Sequence, residues 1–206
     1  MNIIIIDYDM GNVGSIFNML KKIGLSAKIS SNHNDILLSD KLILPGVGAF
    51  DKGMLNLEKA DIISLLNEKV MIRRTPILGI CLGMQLFTRT SEEGNLPGLG
   101  WIDADTKKFQ FNYSEKQYRI PHMGWNTVTF RKNNFLFDGF VEEPRFYFVH
   151  SYHVSCDNED LSIAKTLYGY EFTSAIQRDN IFGVQFHPEK SHKFGMKLLI
   201  NFINYS

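Results

Sequence analysis

Pro76-Ile77-Leu78-Gly79-Ile80-Cys81-Leu82-Gly83-Met84-Gln85 reads as a short apolar strand that runs into a tight turn, with a cysteine flanked two residues away on each side by glycine. Small residues around a nucleophile permit a sharp strand-to-helix corner, which lifts the side chain clear of a sheet. A helix starting at Leu82 would aim its N-terminal N–H groups at the sulfur and favour the thiolate. The same stretch also fits a buried cysteine in an α/β core, because Cys packs as a small hydrophobe.

Outward from this point the chain alternates strand and helix. Thr75 to Ile80 is the strand before the cysteine and Leu82 to Thr90 the helix after it. Upstream, Lys41 to Leu44 predicts a strand that ends at Pro45-Gly46-Val47-Gly48, and a helical stretch covers roughly Ala60 to Arg73. The run from Asn2 to Asp7 is almost wholly apolar, as expected of a parallel strand buried on both faces. Val13, Ile16, Phe17, Leu20 and Ile23 recur at helical spacing before Gly24, and Leu25 to Ser30 predicts another strand. This alternation implies a doubly wound α/β sheet.

From about Asp105 the pattern changes. Lys107 to Phe111, Asn126 to Phe130, Phe146 to Val149, Ile163 to Tyr168, Ser174 to Arg178 and Ile181 to Gln185 predict strands joined by short turns, with Asp179-Asn180 as a hairpin signal. Phe194 to Asn204 predicts a final helix. No linker, repeat or low-complexity segment interrupts the chain, so one domain over residues 1–206 is expected. The fold expected is α/β, with a mixed, mostly parallel central sheet flanked by helices and additional antiparallel strands in the C-terminal half.

Composition excludes several classes. Lys+Arg and Asp+Glu balance at 22 each, so no basic field draws nucleic acid. Two cysteines, Cys81 and Cys156, make no disulfide framework. The N-terminal apolar run lacks a basic flank and is too short for a signal peptide or membrane span. A reducing cytoplasm is therefore expected, where a free thiol survives as a nucleophile. Neither a G-x-x-x-x-G-K-[ST] nor a G-x-G-x-x-G pattern occurs, so no nucleotide site is indicated.

A cysteine nucleophile needs a base, an orienting group and an oxyanion site. Val184-Gln185-Phe186-His187-Pro188-Glu189 offers the first two. His187 follows the C-terminal end of a strand, the edge at which open α/β sheets place their ligands. Glu189 lies across a proline and can hold the imidazole in one tautomer. In isolation this tripeptide also fits a surface His beside a solvated Glu. Pro45-Gly46-Val47-Gly48 can turn backbone N–H groups inward to cradle an oxyanion, or serve as a plain turn. The N–H of Leu82 would be the second donor.

In this order the three pieces resemble the class I, triad-type glutamine amidotransferases, whose pattern is G-[IV]-C-x-G-x-Q with H-P-E far downstream. Further blocks narrow the resemblance: Asp7-Tyr8 with Gly11-Asn12, Leu44 to Phe50, Pro121-His122-Met123-Gly124-Trp125-Asn126, Tyr147 to Tyr152 and Phe186 to Ser191. These are similar to the glutaminase subunits of imidazole glycerol phosphate synthases, and the similarity runs from Ile3 to Phe202. It implies that Cys81 attacks the glutamine amide carbon, that His187 shuttles the proton and that Glu189 orients His187. It further implies that Gly48 and Leu82 are oxyanion donors and that Gln85, Glu93, Ser151 and Tyr152 form the glutamine pocket. Trp125, Tyr147 and Lys190 match positions at the boundary with a (β/α)8 cyclase partner, which receives the ammonia in a heterodimer. The resemblance implies no cofactor and no metal.

One stretch departs from that pattern. The family reads D-Y-G-x-G-N followed by Arg-Ser, whereas Asp9 replaces a glycine here and Gly14 stands where a basic residue is usual. Together with Val13 to Ile16 and His192 to Gly195, this resembles a paralogous branch that supplies ammonia in bacterial surface-sugar biosynthesis. A stand-alone cysteine hydrolase would share the elbow and the downstream His but has no use for Gln85, Glu93 and the H-M-G-W-N block. A non-catalytic subunit would not need Cys81, His187 and Glu189. His150 and His153, three apart on one predicted strand, should face opposite sides and hold no metal. Cys156 reads as an incidental thiol.

Overall fold

The computed structural model describes residues 1–111, 118–130, 134–141 and 143–205. The first half alternates as expected: β1 (Ile3–Ile6), α1 (Val13–Lys22), β2 (Ala27–Ser30), α2 (His33–Leu37), β3 (Lys41–Gly46), α3 (Phe50–Lys59), α4 (Ile63–Asn67), β4 (Ile77–Cys81) and α5 (Leu82–Gln85). The second half is mainly strands: β5 (Ala104–Lys108), β6 (His122–Thr127), β7 (Thr129–Phe130), β8 (Arg145–His150), β9 (Tyr152–Cys156), β10 (Ser162–Tyr168), β11 (Tyr170–Arg178) and β12 (Ile181–Val184). It closes with α6 (His192–Asn204).

The main sheet runs β2-β1-β3-β4-β12-β11-β10-β7, with β9 pairing β11 and β5 pairing β9. Contacts from β2 through β12 are parallel, and those beyond β12 are antiparallel. β6 and β8 form a separate antiparallel pair. All four isoleucines of β1 are buried, because helices cover both faces of a parallel sheet. One apolar cluster lies on each side: Ile3, Ile5 and Leu78 pack with Phe182, Leu199 and Phe202, whereas Ile4, Ile6 and Leu44 pack with Phe50, Leu57 and Phe87.

Several boundaries differ from the sequence reading for local reasons. The helix expected through Thr90 stops after one turn. The Thr88 hydroxyl donates to the carbonyl of Gln85 at 2.7 Å, and Phe87 N–H turns back to Met84 O at 3.2 Å, so the ladder tightens and ends. A one-turn helix has little macrodipole, which weakens that part of the case for an activated sulfur. The helix expected over Ala60 to Arg73 is interrupted at Asp61, whose φ is 57°. It resumes as α4 and a π-helical turn over Glu68–Ile72. α2, α3 and β9 escaped the periodicity reading: α2 is five residues long, α3 carries Gly53 in its interior, and β9 starts directly after a break at Ser151.

Candidate active site

Cys81 ends β4 with φ 55° and ψ −110°, a left-handed conformation that costs a non-glycine residue about 1–3 kcal/mol. The corner is held by close packing. A Cβ on Gly79 would come within 2.6 Å of the Phe87 ring, and one on Gly83 would overlap the carbonyl oxygen of Leu44. The two glycines therefore let the turn after Cys81 lie directly on the sheet. β4 sits between β3 and β12, with Gly46 opposite Cys81 and Val184 opposite Ile80. Both helper segments, Pro45-Gly48 and Gln185-Glu189, are thus delivered to the cysteine by its two neighbouring strands.

His187 Nδ1 lies 2.7 Å from Glu189 Oε1, and both side chains are 2% exposed. With the carboxylate accepting, Nδ1 carries the proton and Nε2 is left as the working nitrogen. Nε2 is buried and, among the described residues, makes no aligned hydrogen bond, although Cys81 is near enough to act on the ring. Burial alone would lower the His187 pKa; attraction to Cys81 and Glu189 outweighs it and raises the value to about 10. An unpartnered buried ring nitrogen beside a thiol suits proton transfer during a reaction.

A cavity of about 290 Å³ opens over the sulfur, walled by Val47 and Gly48 on one side and by Val149 to Tyr152 on the other. Gln85 and Glu93 also line it. Gln85 Nε2 donates to the Tyr152 carbonyl at 3.0 Å. Glu93 Oε2 accepts the N–H of Phe50 at 2.9 Å, which caps α3 and ties the acid to the loop that bears Gly48. Burial raises the Glu93 pKa. Gly48 has φ 126°, and a side chain there would press on the methyl of Met10 at 3.0 Å. Tyr8 steadies the same loop from below, donating its hydroxyl to Pro45 O at 2.6 Å. The residues expected at the nucleophile, the base and the pocket therefore converge on this cavity or on the sulfur at its floor.

Comparison with known proteins gives the family. The family described as Glutamine amidotransferase class-I matches residues 4–205. The chain belongs to that family. Among curated amidotransferase relatives, it is 57% identical to a Methanococcus maripaludis protein over 201 residues, 98% of each chain. It is 50% identical to a Pseudomonas aeruginosa protein, again over 98% of each. Both are named "Imidazole glycerol phosphate synthase subunit HisH 2". Among solved structures, one described as a glutamine amidotransferase matches at TM-score 0.73 and 16% identity, over 97% of this chain and 96% of that one. A structure described as PurLQS from Thermotoga maritima matches at TM-score 0.70 and 18% identity, over 99% and 98%. At such identities these two speak for the fold alone.

In this amidotransferase the residues expected at a partner boundary lie together outside the cavity. Trp125 stands opposite Tyr147 in the β6–β8 pair, and their rings meet edge to face at 6.2 Å. His192 stacks on Trp125 at 5.4 Å, and Lys190 Nζ lies 5.4 Å from the centre of the Tyr147 ring. Trp125 is 41% exposed and Met123 62%.

Beneath that patch, Asn126 Nδ2 faces His122 Nε2 at 3.3 Å, and His122 Nδ1 lies 3.0 Å from His150 Nε2. His150 Nδ1 lies 2.7 Å from the Tyr152 carbonyl. An amide can only donate from nitrogen, so each ring takes the Nδ1–H tautomer and the chain ends on the pocket wall. Burial lowers the His122 pKa to about 4; it also drives that of His150 well below its ordinary range, and neighbouring His122 adds to this. The expectation that His150 and His153 face opposite ways does not hold. The strand breaks at Ser151, and both rings pack on Phe109, at 5.2 and 4.8 Å. All four ring nitrogens have partners. Among the described residues no cluster of His, Cys, Asp and Glu could hold a metal, and no helix is long and apolar enough to cross a membrane.

Sequence reasoning did not single out Gln185, Met10 or the Asn126–His122–His150 chain. Gln185 carried a readable signal, since a lone amide inside an apolar strand must find a hydrogen-bond partner.

Proposed function

We propose that this chain is the glutaminase subunit of an imidazole glycerol phosphate synthase and passes ammonia to a (β/α)8 cyclase partner. The observation that carries the reading is the buried, unpartnered Nε2 of His187 beside Cys81, with Glu189 holding the opposite nitrogen. With the proton already held by His187, the sulfur bonds to the amide carbon of glutamine. The negative oxygen is held by the N–H groups of Gly48 and Leu82. His187 then protonates the amide nitrogen, the C–N bond breaks and ammonia leaves, giving a glutamyl thioester. Water gives a proton to His187 and attacks the thioester carbon. The C–S bond breaks and glutamate departs. Glu93 suits the substrate ammonium, with Gln85, Ser151 and Tyr152 completing the grip.

The names of the curated relatives support the synthase assignment. The exposed patch of Trp125, Tyr147 and Lys190 is the proposed docking face for the cyclase. The reaction needs no cofactor, and a reducing cytoplasm suits a free nucleophilic thiol. The test is glutamate release from glutamine with and without the cyclase. Strong stimulation in a one-to-one complex supports the reading, whereas full activity alone on peptides would replace it with a cysteine hydrolase.

Asp9 and Gly14 favour a second acceptor, in surface-sugar biosynthesis, with the same glutaminase chemistry. Asp9 takes φ 61°, the conformation that a glycine adopts freely, so the backbone route is kept while an exposed carboxylate is added. A Cβ on Gly14 would meet nothing closer than 3.9 Å, so packing does not explain the lack of a basic side chain there. A complex that releases ammonia but forms no imidazole product would favour this branch.

A further inference from the structure

Gln185 is fully buried at the end of β12, two residues before His187, and its amide spans the gap between the pocket and the sulfur. Its orientation is set from outside. Gln85 Nε2 donates to the Tyr152 carbonyl at 3.0 Å and also to Gln185 Oε1 at 3.0 Å. Gln185 must therefore present its NH2 end to Cys81, and that nitrogen lies 3.6 Å from Sγ. The Val149 carbonyl, at 4.0 Å, can only accept the thiol proton, and the titratable groups that act on the sulfur are His187 and Tyr8. The sulfur thus sits between an acceptor for its proton and a donor to its lone pairs.

We propose that Gln185 is a positioning residue that holds Sγ and stabilises the thiolate, relaying the position of the pocket residue Gln85 to the nucleophile. An N–H donor favours an anionic sulfur over a neutral one, because hydrogen bonds to charged groups are the stronger kind. The relay runs from the Tyr152 carbonyl through the amides of Gln85 and Gln185 to sulfur, with each amide using its nitrogen toward the next acceptor. Whatever grips Gln85 in the pocket shifts the donor at the sulfur, so occupancy of the pocket and readiness of the nucleophile are joined. This proposal deepens the glutaminase reading and rests on it only for the identity of the bound molecule.

The test is the pH dependence of Cys81 alkylation by iodoacetamide in the full chain carrying Cys156→Ser, with no glutamine present. Gln185→Met removes the donor at similar volume and should move the thiolate midpoint up by about one pH unit. Gln185→Glu keeps the shape and places a carboxylate oxygen at the sulfur, so its midpoint should move further in the same direction. A purely structural role would change the melting temperature and leave the midpoint where it was. An unchanged midpoint in either variant, folded by circular dichroism, overturns the proposal. In the unsubstituted protein, one side-chain amide pair in the nitrogen-15 spectrum should titrate with the alkylation midpoint; no such pair would also overturn it. Should the wild-type chain release no glutamate while these shifts appear, the glutaminase reading fails and the role of Gln185 stands.

Discussion

The backbone N–H of His187 donates to the carbonyl of Tyr147 at 2.8 Å, so the strand that displays the exposed aromatic patch also holds the proposed catalytic imidazole. Ser191 closes a second link, donating to His187 O at 2.6 Å and accepting from Tyr147 N–H at 3.0 Å. Three hydrogen bonds thus join the backbone of β8 to the backbone on either side of the His187 ring.

That link sets the first prediction. Trp125→Ala removes an exposed aromatic anchor from the patch and should weaken binding to a cyclase partner by about 30-fold, as for a typical hot-spot tryptophan. Titration calorimetry measures the affinity. An unchanged dissociation constant would remove Trp125 from the interface.

Cys81→Ala should abolish glutamine-dependent synthesis and spare synthesis from added ammonium salts. The two thiols should also separate chemically. Burial, with help from Glu159, pushes the Cys156 thiol up to about 12, so it stays protonated and inert near neutrality. An electrophilic glutamine analogue should label Cys81 alone, and peptide mapping that finds the label on Cys156 would refute this.

Stability should fall on the alkaline side. The His187 pKa rises from 6.5 to about 10 on folding, so the folded state binds the proton more tightly. The resulting stabilisation is complete below pH 6.5 and is lost as pH rises toward 10. Urea denaturation at pH 6.5, 8 and 9.5 should show this decline, and His187→Gln should flatten it.

On the acid side the sign reverses. His122 falls from 6.5 to about 4, so the unfolded chain takes up protons first. Its contribution is present above pH 6.5 and disappears as pH drops toward 4. His122→Gln should reduce the acid sensitivity measured in the same way.

Two glycines should respond in opposite directions. Gly83→Ala forces a methyl into the carbonyl of Leu44 and should cost about 3 kcal/mol or more. Gly14→Ala adds a methyl in open space within α1 and should stabilise by roughly 0.5 kcal/mol. Denaturant midpoints distinguish the two.

Much of the site was legible because it lies in short, chemically dense segments at strand ends. The glycines about Cys81, the turn after Leu44 and the His-Pro-Glu turn each state a local backbone requirement. Gln185 was passed over because its importance depends on what stands beside β12, and the strand itself shows only a polar residue among apolar ones. Met84, Leu86 and Phe87 suit a longer helix after Cys81 than the one turn that forms. The Thr88 hydroxyl, which ends it, acts through a hydrogen bond that periodicity does not contain.

Local chemistry alone therefore determined the α/β alternation, the elbow at Cys81 and the choice of candidate reacting groups, since φ preferences, apolar periods and side-chain types are properties of neighbouring residues. Only the folded chain decided that β3 and β12 flank β4, that Nε2 of His187 is left without a partner, and that two amides lead from Tyr152 to the sulfur. Those relationships join residues far apart in the sequence. They arise when the sheet orders its strands, because burial then compels each polar group to find the partner that the register brings to it.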